Sequence, residues 1–473
     1  MSDSSKVGGR PRPGVPSGDD PLVAFFGRYY PRRRPFARAA LFLALCLPAC
    51  APLAAEIRSL TILHTNDLHA HISPSDTHTG GFAYLAAAIR RERAGCTDCI
   101  LLNAGDLVQG TPVSTIFHGL PVFELANLFG YDAATLGNHD FDYGWMQARK
   151  FMETANYPIV SSNIVGADSE LFTAKPYVIL TVNKLRVAVL GALTDDMRNL
   201  STPKLMQQWH TVLVLATVRR YAAELKEKSD LIVLLGHLTA EEELQFLENV
   251  PEVPVIVSGH VHSGLDQAIS RQGRVMVRMK GYGEELGRLE LKVDTVAKAP
   301  ASFAWKRIPI DSTRIAPAAD VAAQVKRWED EVTARVDEPL ATASHAFDKR
   351  QLKAVMEQAM REETGADFAF MNAGGVRDVI PEGRLLVRHI WNIMPFDNLV
   401  VIAHVKGRDL PQTVLGGRKV EPDREYTLAV SDFTAQNQSA PSQLGTTGLV
   451  FGDDVGLLRD MLIDWFRKKK TIE

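Results

Sequence analysis

Leu136-Gly137-Asn138-His139-Asp140-Phe141-Asp142 ends the apolar run Ala133 to Leu136 with an amide, an imidazole and two carboxylates in close succession. Groups of that kind are costly beside a core strand unless they share a partner, so the endings of the other apolar runs matter. Leu60 to Leu63 runs into Asn66-Asp67-Leu68-His69, and Ile100 to Leu102 runs into Gly105-Asp106. Downstream, Leu231 to Leu235 meets Gly236-His237, and Val253 to Val257 meets Gly259-His260-Val261-His262. Val187 to Leu190 is a further apolar run, and Leu215, Val218, Ala222 and Leu225 fall at helical spacing between such runs. A strand-helix-strand rhythm follows, which predicts an α/β layer domain whose strands end on one shared edge.

Asp, His and Asn together suit a borderline divalent ion, zinc, manganese, cobalt or iron, whereas calcium takes oxygen ligands only. Asp67, His69, Asp106, Asn138, His237, His260 and His262 are the candidate ligands. A single tetrahedral ion takes about four, so this larger set predicts two ions bridged by a carboxylate. Each residue has a bland alternative: Asp67 as a helix cap, His237 as a satisfied strand-end histidine. Repetition of the cluster at successive strand ends argues against independent bland roles. Glycine before Asp106, Asn138, His237 and His260 fits a chain that turns tightly with its backbone clear of a ligand.

The chain has 473 residues, 46% hydrophobic and 23% charged, enough for two or three domains and incompatible with global disorder or a collagen-like repeat. Arg28, Arg32 to Arg34 and Arg38 precede the short apolar stretch from Ala39, and small residues follow from Pro48 to Ala55. This predicts an export leader over residues 1–55 and a periplasmic or secreted protein. Arg33-Arg34-Pro35-Phe36 is similar to a twin-arginine signal, while Leu47-Pro48-Ala49-Cys50 also reads as a lipoprotein cleavage site that would leave Cys50 acylated. No other membrane attachment is expected. Without the leader, 45 Lys and Arg face 53 Asp and Glu, a formal net charge of −8 that argues against a nucleic-acid polymer as partner. Cys96 and Cys99 are expected to form a local disulfide with no catalytic role.

The pattern changes near Ser302. Residues 318–336 predict a charged amphipathic helix through Ala322, Val325, Trp328 and Val332, a bridge and candidate hinge. A helix at Leu352 to Arg361, strands at Phe368 to Met371 and Leu399 to Val405, and a helical close at Val455 to Lys468 follow. The expected divisions are 1–55 leader, 56–310 catalytic domain, 311–336 linker and 337–473 second α/β domain.

In their order along the chain, Asp67-Leu68-His69, Gly105-Asp106, Gly137-Asn138-His139-Asp140, Gly236-His237 and Gly259-His260-Val261-His262 resemble the five motifs of the calcineurin-like metallophosphoesterases. The fuller wording His64-Thr65-Asn66-Asp67-Leu68-His69 and Asn103-Ala104-Gly105-Asp106 with Gln109-Gly110-Thr111 resembles the 5'-nucleotidase family, which includes UDP-sugar hydrolases and 2',3'-cyclic phosphodiesterases. That resemblance implies a four-layer α/β sandwich followed by a smaller α/β substrate-binding domain that rotates to deliver substrate. It implies one ion on Asp67, His69 and His262, a second on Asn138, His237 and His260, and Asp106 bridging them around an activated water. It further implies that His139 faces the phosphoryl group, stabilising charge or protonating the leaving oxygen, with Asp142 holding its ring.

On the substrate side, Asn372-Ala373-Gly374-Gly375-Val376-Arg377 is similar to the family stretch that contacts phosphate and base, giving Asn372, Gly374, Gly375 and Arg377 as candidates. Pro395-Phe396-Asp397-Asn398 and Asp432-Phe433-Thr434-Ala435 resemble the segments whose aromatic rings clamp the base, giving Phe396, Asn398 and Phe433. One departure is that Ser439 stands where the family carries a ribose-binding aspartate. The expected activity is hydrolysis of a 5'-nucleotide, UDP-sugar or 2',3'-cyclic nucleotide by a monomer or weak oligomer. The alternatives are hydrolysis of a sulfur-linked group, as in a thiosulfohydrolase, and a catalytically reduced nucleotide-binding protein.

Overall fold

A computed structural model describes residues 56–473 apart from Pro441, with the backbone alone at Asp453. The expected leader, its twin-arginine stretch and Cys50 lie outside the described residues. Ile57–Thr65, Cys99–Asn103 and Ala133–Ala134 run parallel in one sheet, which Glu285–Asp294 and Ala299–Pro309 extend as antiparallel strands on the far side of Ile57–Thr65. A second sheet has the order Ile269–Arg271, Arg274–Arg278, Val255–Gly259, Leu231–His237, Leu185–Leu193, Tyr177–Val182, with the inner four strands parallel.

Alternation along the strands builds the layers, because successive side chains point to opposite faces. Leu60, Ile62, Ile100 and Leu102 meet Val187, Val233, Leu235 and Val257 in a core between the two sheets. Ala188, Leu190, Ile232, Leu234 and Ile256 point the other way, under the helices Val214–Leu225 and Ala240–Asn249. Leu63 and Leu101 do the same in the first sheet, under Phe82–Ala94. Helix, sheet, sheet, helix is the four-layer sandwich.

Two sequence expectations need correction. The chemistry-bearing strand ends come from two facing sheets and not from one edge. The closing helix starts at Leu458; Val455 belongs to the strand Phe451–Leu457, and Gly456 takes φ 121°, which no α-helix accommodates.

The helix Ala319–Val336 packs on the first domain, burying Val321, Val332 and Val336 and setting Trp328 against Phe117 at 5.0 Å. Beyond it, a four-stranded sheet, Phe368–Phe370, Glu425–Ser431, Leu399–Lys406 and Phe451–Leu457, packs with the helices Lys349–Thr364 and Leu458–Lys469. Cys96 and Cys99 are joined by a disulfide. Among the described residues no helix is long and apolar enough to cross a membrane.

Candidate metal centre

The seven ligand-type side chains meet at the rim where the parallel strands of both sheets end. Asp67, His69, Asp106, Asn138 and His237 are buried, and His260 and His262 are half-buried. Two triads form, Asp67 with His69 and His262, and Asp106 with His237 and His260, each with its donor atoms within 4.8 Å of one another. Asn138 joins the second, its Oδ1 3.1 Å from His237 Nε2 and 3.0 Å from His260 Nδ1. Asp106 Oδ2 lies 3.1 Å from His237 Nε2 and 3.7 Å from His69 Nε2, between the two groups.

Local backbone explains how the donors converge. Asp67, His69, Asp106 and His260 take φ of 51°, 46°, 52° and 79°, a left-handed region that non-glycine residues enter at a cost of about 1–3 kcal/mol each. Hydrogen bonds hold them there. His260 N–H donates to Asp67 Oδ2 at 2.9 Å, and Asn66 grips Met279 through both its amide oxygen and its amide nitrogen. Asp140 accepts from the N–H groups of Gly137 at 2.8 Å, Asp106 at 3.2 Å, Leu107 at 3.2 Å and Val108 at 3.4 Å, so one buried carboxylate ties two ligand loops together. At Gly137 an added Cβ would run into the Asp106 carboxylate, and at Gly259 into the Ala104 carbonyl. Both glycines are therefore required by close approach.

The ring tautomers point the same way. His69 Nδ1 faces the Gln109 carbonyl at 2.8 Å and His237 Nδ1 faces the Ala104 carbonyl at 2.8 Å, so both rings commit Nδ1 as a donor and turn Nε2 into the cluster. Asp106 Oδ2 is buried and has no hydrogen-bond donor. Imidazole nitrogens, an amide oxygen and carboxylate oxygens converging in a buried space are the donors that a pair of divalent ions takes, so the set fits two such ions.

His139 and Asp142 pair at 2.7 Å through Nδ1 and Oδ2. Burial alone would lower the His139 pKa, but the Asp142 and Asp106 carboxylates outweigh it and raise the value. His139 stands edge-on to His69 at 5.3 Å and stacks with Phe396 at 5.9 Å. Thr115 donates to the Pro395 carbonyl at 3.1 Å and Arg459 to the Phe396 carbonyl at 3.2 Å, which fixes the Phe396 loop at the metal rim.

The substrate-side candidates divide. Arg377 lies over Phe396 at 5.7 Å, with Nη1 on the Gly374 carbonyl at 3.3 Å and Nη2 buried without a partner. Asn372 is buried beside Gly375, where an added Cβ would strike the Asn372 side chain. Asn398 commits its amide to Asp432 Oδ1 at 2.9 Å, an internal bond. Phe433 is half-buried on the short helix Asp432–Gln436, and Ser439 is exposed. Asp140 and Tyr282 are further residues that hold the centre and were not singled out from the sequence. The Gly-Tyr-Gly setting of Tyr282 is the only sequence signal it offers.

This arrangement defines a calcineurin-like metallophosphoesterase, and residues 60–264 match the family model described as calcineurin-like phosphoesterase. Residues 332–416 match the 5'-nucleotidase C-terminal domain. The chain belongs to the 5'-nucleotidase family within the calcineurin-like metallophosphoesterases. It is similar to Protein UshA of Yersinia enterocolitica, 27% identical with 76% of this chain and 77% of that protein covered. The solved 5'-nucleotidase precursor of Thermus thermophilus superposes with a TM-score of 0.78 at 21% identity, covering 88% of this chain and 97% of that one. The Thermus thermophilus sulfate thiohydrolase SoxB shares the fold with a TM-score of 0.75 at 17% identity over 87% and 94% of the two chains. Two longer Bacillus subtilis relatives match 81% and 76% of this chain, which spans only 38% and 27% of their length.

Proposed function

We propose that the protein is an exported nucleotide phosphoesterase, hydrolysing 5'-nucleotides, UDP-sugars or 2',3'-cyclic nucleotides. The observation that carries this reading is the pair of facing triads with Asp106 Oδ2 undonated between them, next to an oriented His139 and the free Nη2 of Arg377. Two divalent ions held on Asp67, His69 and His262 and on Asn138, His237 and His260, with Asp106 shared, would supply an activated water and positive charge for the phosphoryl oxygens. The side chains contribute the rest. Arg377 binds a phosphoryl oxygen through its unpartnered N–H. With Asp142 accepting the Nδ1 proton, His139 in its imidazolium form, which the raised pKa favours, carries a second proton on Nε2 and gives that one to the leaving oxygen. Phe396 covers the reacting group from the second domain and limits access of water.

The test is a substrate panel on metal-loaded protein lacking residues 1–55. Phosphate release from at least one nucleotide class, abolished by chelator and restored by manganese, cobalt or zinc, is the expected result. Hydrolysis that ignores chelator, or turnover of a thiosulfonate in preference to every phosphate ester, would overturn it.

A further inference from the structure

We propose that Tyr282 is a positioning residue whose phenol orients His262, so that one of the two metal sites depends on a side chain that the other does not touch. This role rests on the dinuclear reading above. A metal-ligating imidazole donates its second N–H to a partner that fixes tautomer and ring angle. For His69 and His237 that partner is a backbone carbonyl, of Gln109 and of Ala104, which no substitution removes. For His262 it is the Tyr282 hydroxyl, 3.2 Å from Nδ1.

The surroundings of Tyr282 hold the phenol in place. The residue takes φ 67° between Gly281 and Gly283, its N–H donates to the Asp67 carbonyl at 2.6 Å, and its ring lies against His71 at 4.5 Å and edge-on to His262 at 5.3 Å. A bulky side chain in the left-handed region is strained, and these contacts offset that strain. His262 Nε2 is then presented to His69 Nε2 at 2.9 Å and to Asp67 Oδ1 at 3.6 Å. His262 is the half-buried member of its triad, so without the phenol its ring can turn toward solvent. The second group, Asp106, Asn138, His237 and His260, has no such tie to Tyr282 among the described hydrogen bonds. The phenol therefore acts on the affinity of one site and not of the other.

The experiment is a cobalt titration of chelator-stripped protein, followed by visible absorbance and by equilibrium dialysis, for the parent chain and for Y282F. The parent is expected to take up two ions. In Y282F the affinity of one ion is expected to fall roughly tenfold to a hundredfold while the other is unchanged. Y282H, which returns an acceptor nitrogen, is expected to recover part of the loss and serves as the informative variant if Y282F does not fold. Two unchanged affinities, or an equal loss at both, would overturn the proposal. A parent that binds two ions but hydrolyses no phosphate ester would overturn the function and leave this inference standing.

Discussion

The Nε2 atoms of His69 and His262 lie 2.9 Å apart, although the two residues are 193 positions apart in the chain and follow strands of different sheets. Both rings commit Nδ1 elsewhere, His69 to a carbonyl and His262 to a phenol, so the approach brings two lone pairs together. That contact is unfavourable unless a cation lies between the rings, which couples metal binding to the stability of the whole rim.

Metal removal should therefore destabilise the folded protein as well as silence it. Melting curves with chelator and with excess zinc or manganese should differ in the direction of metal stabilising, by about 2.7 kcal/mol per site at a hundredfold excess over Kd. Equal melting temperatures with and without ions would contradict the coupling.

His139→Ala should leave two ions bound and lower turnover by about 10²- to 10⁴-fold, the usual range for a lost general acid. Elemental analysis beside steady-state rates checks this. Loss of an ion would make His139 a ligand. Asp142→Asn should give a smaller loss of the same kind, since it removes the charge that orients the ring at 2.7 Å.

Gly137→Ala should be poorly tolerated, because the new Cβ would meet both the Asp106 carboxylate and the Asp106 backbone nitrogen. A destabilisation of about 1–3 kcal/mol with reduced metal content is expected from overpacking at this point. Denaturant unfolding and metal analysis of the purified variant test it. Wild-type behaviour in both would refute the close-approach argument.

His64 is buried between the sheets, stacked on Trp305 at 5.4 Å, with neither ring nitrogen hydrogen-bonded. Burial pushes its pKa down from 6.5 to about 3. The unfolded chain therefore binds a proton that the folded chain refuses as pH falls through 6.5, and stability declines from there toward 3 by up to about 1.4 kcal/mol per pH unit. His64→Met should flatten that slope in urea unfolding of the metal-free protein between pH 7 and about pH 5. An unchanged slope would show that other groups carry the acid sensitivity.

Much of the centre was legible before any coordinates. A strand that ends in Gly-Asp or Gly-His-Val-His states its own chemistry, and five such endings in one α/β rhythm converge because parallel strands share a direction. The strand Glu285–Asp294 was legible in principle from the alternation of Leu289, Leu291 and Val293, but Ala299–Pro309 exposes most of its residues and so carries no periodic signal.

What the letters determined was the inventory: which acids, amides and imidazoles sit at strand ends, and the family to which their order belongs. Only the tertiary structure decided how they meet. The register of two facing sheets brings His262 to His69, four strained non-glycine φ angles aim the donors, and the Thr115 and Arg459 bonds carry Phe396 to His139. Tyr282 and Asp140 act through contacts with loops distant in sequence, and such contacts have no local periodicity to read. Chain direction is a local property that residues announce one strand at a time, whereas the angle of a ring toward its neighbour depends on packing summed over the whole domain.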